Sequence, residues 1–310
     1  MTQQMAAEAL KAKLKEGRKD RLHTFMMADD QIRGAFLTAT RVVKDMREAH
    51  GLGVLETLVL GHAYMGTLLS TACVKGDARM ALSIDCSGPI KGLSVEASSF
   101  GEVRGYLKQN PIPVTEPLED FNLSPYFGAG FLTLTRRIEN AREPYSGKII
   151  LQHGNIAQDI AQYFLESEQI PTAITLSITF DKQGEVRGAA GLFLQALPGA
   201  NDRVLAEIET AVTTLPSIGD WAGEDTPMET RIQPAFAAMA PRILASKRAA
   251  FYCPCNQEKI SAMLHTLPVE DLKDMATNGP FPVSVTCHNC NTHYHFSQEA
   301  LERLYQNRTE

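Results

Sequence analysis

The chain has 310 residues, of which 44% are hydrophobic and 21% charged, with a net charge of −6. That length suffices for two domains, one with a sizeable core, and the acidic balance argues against nucleic acid as main partner, because phosphate binding draws on a basic face. No run approaches the roughly 18 apolar residues of a membrane span, and residues 1–21 lack the apolar stretch of a secretory signal, so no membrane is expected and a reducing cytoplasm is the expected compartment.

In chain order, residues 1–21 read as a frayed helix. Residues 29–73 read as helical: Ile32, Phe36, Ala39, Val42, Val43 and Met46 recur at helical spacing, His50-Gly51-Leu52-Gly53 interrupts, and Leu55 to Leu69 is apolar on most sides, as in a buried helix. From Arg79 the pattern changes to short strands at Leu82–Ile84, Leu93–Val95 and Val103–Leu107, with turns at Ser87-Gly88-Pro89 and Phe100-Gly101-Glu102. Further strands are expected at Phe131–Thr135, Lys148–Leu151, Ile174–Phe180 and Val186–Leu197, with a helix over Ile156–Glu166. The pentapeptide Gly-Glu-Val-Arg-Gly occurs at 101–105 and again at 184–188. It reads as a recurring hairpin turn whose glycine takes positive φ, or as a weak duplication of a β unit.

After Leu197-Pro198-Gly199 the spacing predicts an amphipathic helix over Asp202–Thr214. A proline-punctuated segment comes next, containing the single tryptophan, Trp221. Its apolar residues, Ile232, Phe236, Met239, Ile243 and Leu244, are too many for a solvated tether, so it is expected to rest on a neighbouring surface. Residues 251–310 form a small module with helices near Gln257–Leu264 and Val269–Met275, a strand within Phe281–Thr286, and a closing helix over Ser297–Tyr305 capped by Ser297. The expected fold class is α+β: an N-terminal α/β sandwich-like domain over 1–200, a helical linker over 201–250, and a C-terminal zinc-binding domain over 251–310.

That module holds Cys253-Pro-Cys255 and Cys287-His-Asn-Cys290, four of the six cysteines in two tight pairs. Such pairs, joined by one long loop, close a tetrahedral thiolate site for zinc. His265, His288, His293 and His295 are near in sequence, but four cysteines already complete the ligand set. The single residue inside the first pair is unusual. A disulfide there would close a small strained ring, and strained disulfides are the labile, regulatory ones. Structural zinc and a redox switch therefore both remain open on spacing alone. Cys73 and Cys86 are isolated and read as buried, inert thiols.

No G-x-S-x-G, P-loop or dinucleotide fingerprint is present, so no enzyme is indicated. The module carries seven acidic residues against four basic ones, a poor footprint for phosphate. A nucleic-acid-binding protein with a structural zinc is the competing reading, and an enzyme merely stabilised by a zinc domain is a third.

The joint pattern resembles the heat-shock protein 33 family of redox-regulated holdase chaperones from about Arg18 onward, leaving residues 1–17 as an extra tail. The resemblance is carried by Asp30-Gln-Ile-Arg33, Ser87-Gly-Pro-Ile-Lys91, the first Gly-Glu-Val-Arg-Gly, Pro144-Tyr-Ser-Gly147, Tyr163-Phe164 with Ser167-Glu-Gln169, Gly191–Gln195, Leu197-Pro-Gly199 and the two cysteine pairs. It implies an ATP-independent holdase that is off while Cys253, Cys255, Cys287 and Cys290 bind one zinc ion. It also implies that oxidation forms the disulfides Cys253–Cys255 and Cys287–Cys290 and releases zinc. The module then unfolds, apolar surface appears, the protein dimerises, and unfolding client proteins are held. The apolar face of Ile232–Leu244 and the N-terminal sheet are both candidates for the client surface.

Overall fold

The structure is a computed structural model and describes residues 20–74, 76–114, 122–139, 141–223 and 229–309. The opening helix and the extra tail expected from the sequence lie outside the described residues but for Asp20 and Arg21. The chain divides into two compact units, Met1–Phe251 and Tyr252–Glu310.

The first unit begins with β1 (Arg21–Met27) and β2 (Ile32–Thr38), an antiparallel hairpin with Leu22 opposite Leu37. Helices α1 (Thr40–His50) and α2 (Val54–Ser70) come after it, separated by Gly51 in the left-handed region at φ 61°. The helix expected from residue 29 therefore starts only at Thr40. Ile32 and Phe36 belong to a strand. They mimic a helical repeat because β2 is buried on both faces: Ile32 and Phe36 pack into one apolar cluster, Ala35 and Leu37 into the other. Two-sided burial erases the alternation that marks a half-exposed strand.

The strands β3 (Ala78–Cys86), β4 (Gly92–Ser98), β5 (Glu102–Leu107), β6 (Gly130–Ile138) and β7 (Tyr145–Ile150) come next, with the short α3 (Ser124–Phe127) before β6. Then come α4 (Ile156–Glu168), β8 (Thr172–Phe180) and β9 (Val186–Ala196). Asn155 caps α4, its side-chain oxygen accepting the Ala157 and Gln158 backbone N–H groups. The repeated pentapeptide opens the second strand of a hairpin in both places, with Gly101 at φ 92° and Gly184 at φ 79°. That is the turn reading of the repeat.

The last part of this unit contains α5 (Asp202–Thr213), α6 (Ile218–Gly223), α7 (Glu229–Ala235), a 3-10 turn (Ala237–Met239), β10 (Arg242–Arg248) and β11 (Ala250–Phe251). A linker that is helical as far as 250 is thus corrected. Pro241 stops helix propagation, and Arg242–Arg248 pairs antiparallel with β1, where it supplies hydrogen-bond partners to an otherwise open edge. β11 pairs parallel with β5. The result is a five-stranded sheet, β10-β1-β2-β9-β8, and a six-stranded sheet, β11-β5-β4-β3-β6-β7. Helix α2 contacts strands of both sheets and is buried along nearly its whole length, so it forms the centre of an α+β sandwich.

The outer face of the first sheet is covered by the chain's own later segment. Ile208, Ile218, Ile232, Phe236 and Met239 are buried against Phe25, Met27, Ile32, Phe36, Leu192 and Leu194. Burying each such side chain contributes about 1.5–3 kcal/mol. Just before β1, buried Asp20 ties the start of that strand to α1 and to the residue before β11. Its carboxylate accepts the Val42 N–H at 2.7 Å, in the first turn of α1, and its carbonyl accepts the Ala249 N–H at 2.8 Å.

The second unit has α8 (Gln257–Leu264), α9 (Val269–Asn278), the hairpin β12 (Val283–Thr286) and β13 (His293–Phe296), and α10 (Gln298–Thr309). Ser297 accepts the Ala300 N–H at 3.3 Å at the start of α10. The apolar cluster is small: Ile260, Leu264, Ala276, Phe296 and Leu301 are its buried members. A core of this size supplies only about 3–5 kcal/mol.

Phe236→Ala removes a buried ring from the covering segment and is expected to cost about 3–5 kcal/mol of its attachment. Limited proteolysis should then cut within residues 202–241 much faster while far-UV circular dichroism stays unchanged. Burial raises the Asp20 pKa from 3.8 to about 6 against its backbone hydrogen bonds. The folded state therefore holds this proton more tightly than the unfolded chain, and the stability linked to it is full below pH 3.8 and lost as pH rises through about 6. Asp20→Asn keeps an acceptor for the Val42 N–H. It is expected to flatten this dependence and to raise stability at neutral pH by roughly 2–3 kcal/mol, as read from urea unfolding at a series of pH values.

Candidate metal centre

The four paired cysteines come together in the second unit. Cys253 and Cys255 immediately precede α8, which Asn256 caps by accepting the Lys259 N–H at 2.8 Å. The Lys259 ammonium donates to the Pro254 carbonyl at 2.8 Å, which folds the C-x-C backbone over the first turn of the helix.

Cys287 comes directly after the last residue of β12. A tight turn then brings Cys290 back: the Cys290 and Asn291 N–H groups both point to the Cys287 carbonyl, at 3.3 and 2.7 Å. Asn291 takes positive φ, and the Cys287 N–H donates to the Thr292 carbonyl at 2.9 Å. Asparagine tolerates that left-handed conformation better than most residues. The two thiols of the C-x-x-C pair thus share one side of the turn.

All four sulfurs lie within 4.8 Å of one another. Cys253 Sγ is 3.8 Å from Cys287 Sγ, and Cys255 Sγ is 3.2 Å from Cys290 Sγ. A tetrahedral ion with metal–sulfur bonds of about 2.3 Å needs sulfurs about 3.8 Å apart, so this set could hold one metal ion, and its soft thiolates suit zinc. Three of the cysteines are half-buried and Cys290 is buried.

The surroundings tune the sulfurs unequally. Tyr294 on β13 donates its hydroxyl proton to Cys255 Sγ at 3.1 Å, and that bond raises the tyrosine pKa, which keeps it a donor. Thr292 Oγ1 lies 3.2 Å from Cys290 Sγ. Burial pushes the Cys287 thiol up to about 12 and also raises Cys255. At Cys290 burial acts in the same direction but is outweighed by hydrogen bonds from Thr292 and the neighbouring thiols, and the value falls to about 7. A metal cation would displace the remaining protons and offset the charge left behind.

Among the described residues none of the nearby histidines joins this cluster. His288, His293 and His295 are exposed, and His293 Nδ1 is 2.9 Å from Thr286 Oγ1. Cys73 lies in the 3-10 turn after α2, where burial pushes its thiol up to about 12, and Cys86 ends β3 with its pKa also raised by burial. Both are poor nucleophiles in these settings. The roles of Asn256, Lys259, Thr292 and Tyr294 are not evident from the sequence. The one available signal is the alternation of His293-Tyr294-His295-Phe296, which puts Tyr294 and Phe296 on the same face of a strand leaving the second pair.

The whole chain has clear relatives. The Hsp33 protein family model matches residues 20–297. The 33 kDa chaperonin of Geobacter sulfurreducens is 31% identical over 92% of this chain and 94% of its own length. The 33 kDa chaperonin of Syntrophotalea carbinolica is 32% identical over 92% of this chain and 99% of its own. In structure, the 33 kDa chaperonin of Thermotoga maritima, a heat shock protein 33 homolog, superposes with a TM-score of 0.84 at 30% identity, covering 94% of this chain and 99% of that one. The sandwich around α2, the covering segment and the four-cysteine unit therefore belong to a known design, and this chain is a member of the Hsp33 chaperone family.

Proposed function

We propose that this protein is a redox-switched, ATP-independent holdase of the cytoplasm, off while one zinc ion is bound and on after oxidation. The observation that carries the reading is the four-sulfur cluster set in a unit with so small an apolar core. Structural zinc contributes roughly 10–16 kcal/mol in small peptides, against about 3–5 kcal/mol from a core of this size. Loss of the ion decides whether the unit stays folded.

Cys253, Cys255, Cys287 and Cys290 are the ligands in the reduced state. A peroxide or hypochlorous acid takes two electrons from each pair, giving disulfides Cys253–Cys255 and Cys287–Cys290, with the oxidant reduced and zinc released. The sulfur contacts of 3.8 and 3.2 Å run between the pairs, so this step regroups the sulfurs as the ion leaves. The second unit then unfolds, the segment over residues 201–250 loosens from the first sheet, apolar surface appears, the protein dimerises, and unfolding proteins are held. A nucleic-acid-binding role is not favoured, given the family and the acidic surplus of the second unit.

Zinc-loaded protein is treated with peroxide at heat-shock temperature while zinc release and light scattering by an unfolding client are recorded together. Both should change in step; release of zinc without suppression of scattering rejects the holdase reading. Tyr294→Phe removes the hydroxyl bond to Cys255 and is expected to weaken zinc binding about 10–100-fold, read by competition with a chromogenic chelator. Cys255→Ser should lower affinity much further.

A further inference from the structure

A cavity of about 340 Å³ opens in the first unit between the five-stranded sheet and the 3-10 turn Thr71–Cys73 that follows α2. It lies at an irregularity of the sheet. Thr24 on β1 is opposite Ala245 on β10, but Phe25 is opposite Ile243, so Leu244 is an extra residue on β10. A bulge of this kind bends its strand and re-aims the side chains around it. Leu244 lines the cavity.

Much of the wall is apolar, built from Leu22, Ala72, Val74 and Phe193 as well as Leu244. Two cations, Lys247 and Arg33 of the Asp30-Gln-Ile-Arg33 motif, share that wall, and among the described residues no carboxylate does, in a chain of net charge −6. Arg33 is held by an uncharged partner: its Nε and Nη2 both donate to Gln195 Oε1. Lys247 Nζ donates to the Ser99 carbonyl at 2.6 Å and to Thr71 Oγ1 at 3.2 Å. Both of these acceptors are also uncharged, and an ammonium has three donors. The third has no partner among the described residues. Burial, with no opposing charge to offset it, lowers the Lys247 pKa to about 8. A partly buried cation in such a setting is stabilised by any anion that can reach it.

The wall decides which anion fits. A bare phosphate or sulfate would leave most of its oxygens against apolar side chains, which is costly. A carboxylate with a hydrocarbon tail satisfies both parts of the site. We propose that this cavity binds an amphipathic organic anion: the carboxylate takes the remaining Lys247 donor, and the tail lies against Leu22, Ala72, Val74 and Phe193. At the ~30 Å³ that one water molecule occupies, the cavity takes roughly ten non-hydrogen atoms, which is the size of octanoate. The site is separate from the four cysteines, and the proposal stands whether or not they act as a switch.

The test titrates the full-length reduced protein with octanoate, 1-octanol and acetate by calorimetry. Octanoate is expected to bind at least about tenfold more tightly than octanol, which lacks the charge, and than acetate, which lacks the tail. Lys247→Gln, checked for fold by circular dichroism, should weaken octanoate at least about tenfold and leave octanol unchanged. A photoreactive octanoate with a diazirine at the end of its tail reads the site in the parent chain, without any substitution, and its label should fall on the cavity residues of β1, the 3-10 turn or β10. Octanoate affinity weaker than about millimolar, or a label placed elsewhere, overturns the site. Octanol binding as tightly as octanoate, or octanoate binding unchanged in a folded Lys247→Gln, overturns the anion assignment. Acetate binding as tightly as octanoate overturns the role of the apolar wall.

Discussion

Four thiols within 4.8 Å cannot all ionise unless a cation offsets them. That constraint governs the second unit. Its helices and hairpin present the sulfurs at the N-terminus of α8 and at the tip of β12–β13, and only a handful of apolar residues lie behind them. On the proposed function, the fold of this unit and the chemistry of its sulfurs are one equilibrium. On that reading, whatever removes a bound cation, whether a chelator or an oxidant that consumes the thiolates, would act on both at once.

The first unit is built on a different balance. Its five-stranded sheet buries one face on α2 and the other under the segment from α5 to the 3-10 turn. The covering contacts are apolar and contributed by short elements rather than by one long helix. Such contacts are individually modest and tend to open as a group. On the proposed function, a face covered in this way is available to become a binding surface without any change in the sandwich beneath it.

Much of the architecture is legible in the sequence, for identifiable reasons. The second unit's helices, the hairpin repeats and the strands from β3 to β9 carry clear periodicity or clear turn residues. The cysteine spacing locates the four-sulfur cluster. Strand β2 reads as a helix because Ile32 and Phe36, four residues apart, fill one face while Ala35 and Leu37 fill the other. β10 escapes notice because its burial is slight: Ile243 packs inward while Leu244 is 52% exposed, so nothing in its own residues announces a strand, and only the open edge of β1 calls for one. The hydrogen bonds of Tyr294 and Thr292 to the sulfurs depend on the turn geometry between the cysteines, which residue types alone do not specify.

The bond from Ala249 to Asp20 has a topological consequence. It makes neighbours of the residue before β1 and the residue before β11, so the described part of the sandwich is closed on itself as a chain. The segment from α5 to β10 is thereby tied at both ends, to β9 before it and to Asp20 after it. Such a tether can lift from the sheet it covers while the order of strands beneath it never has to be undone.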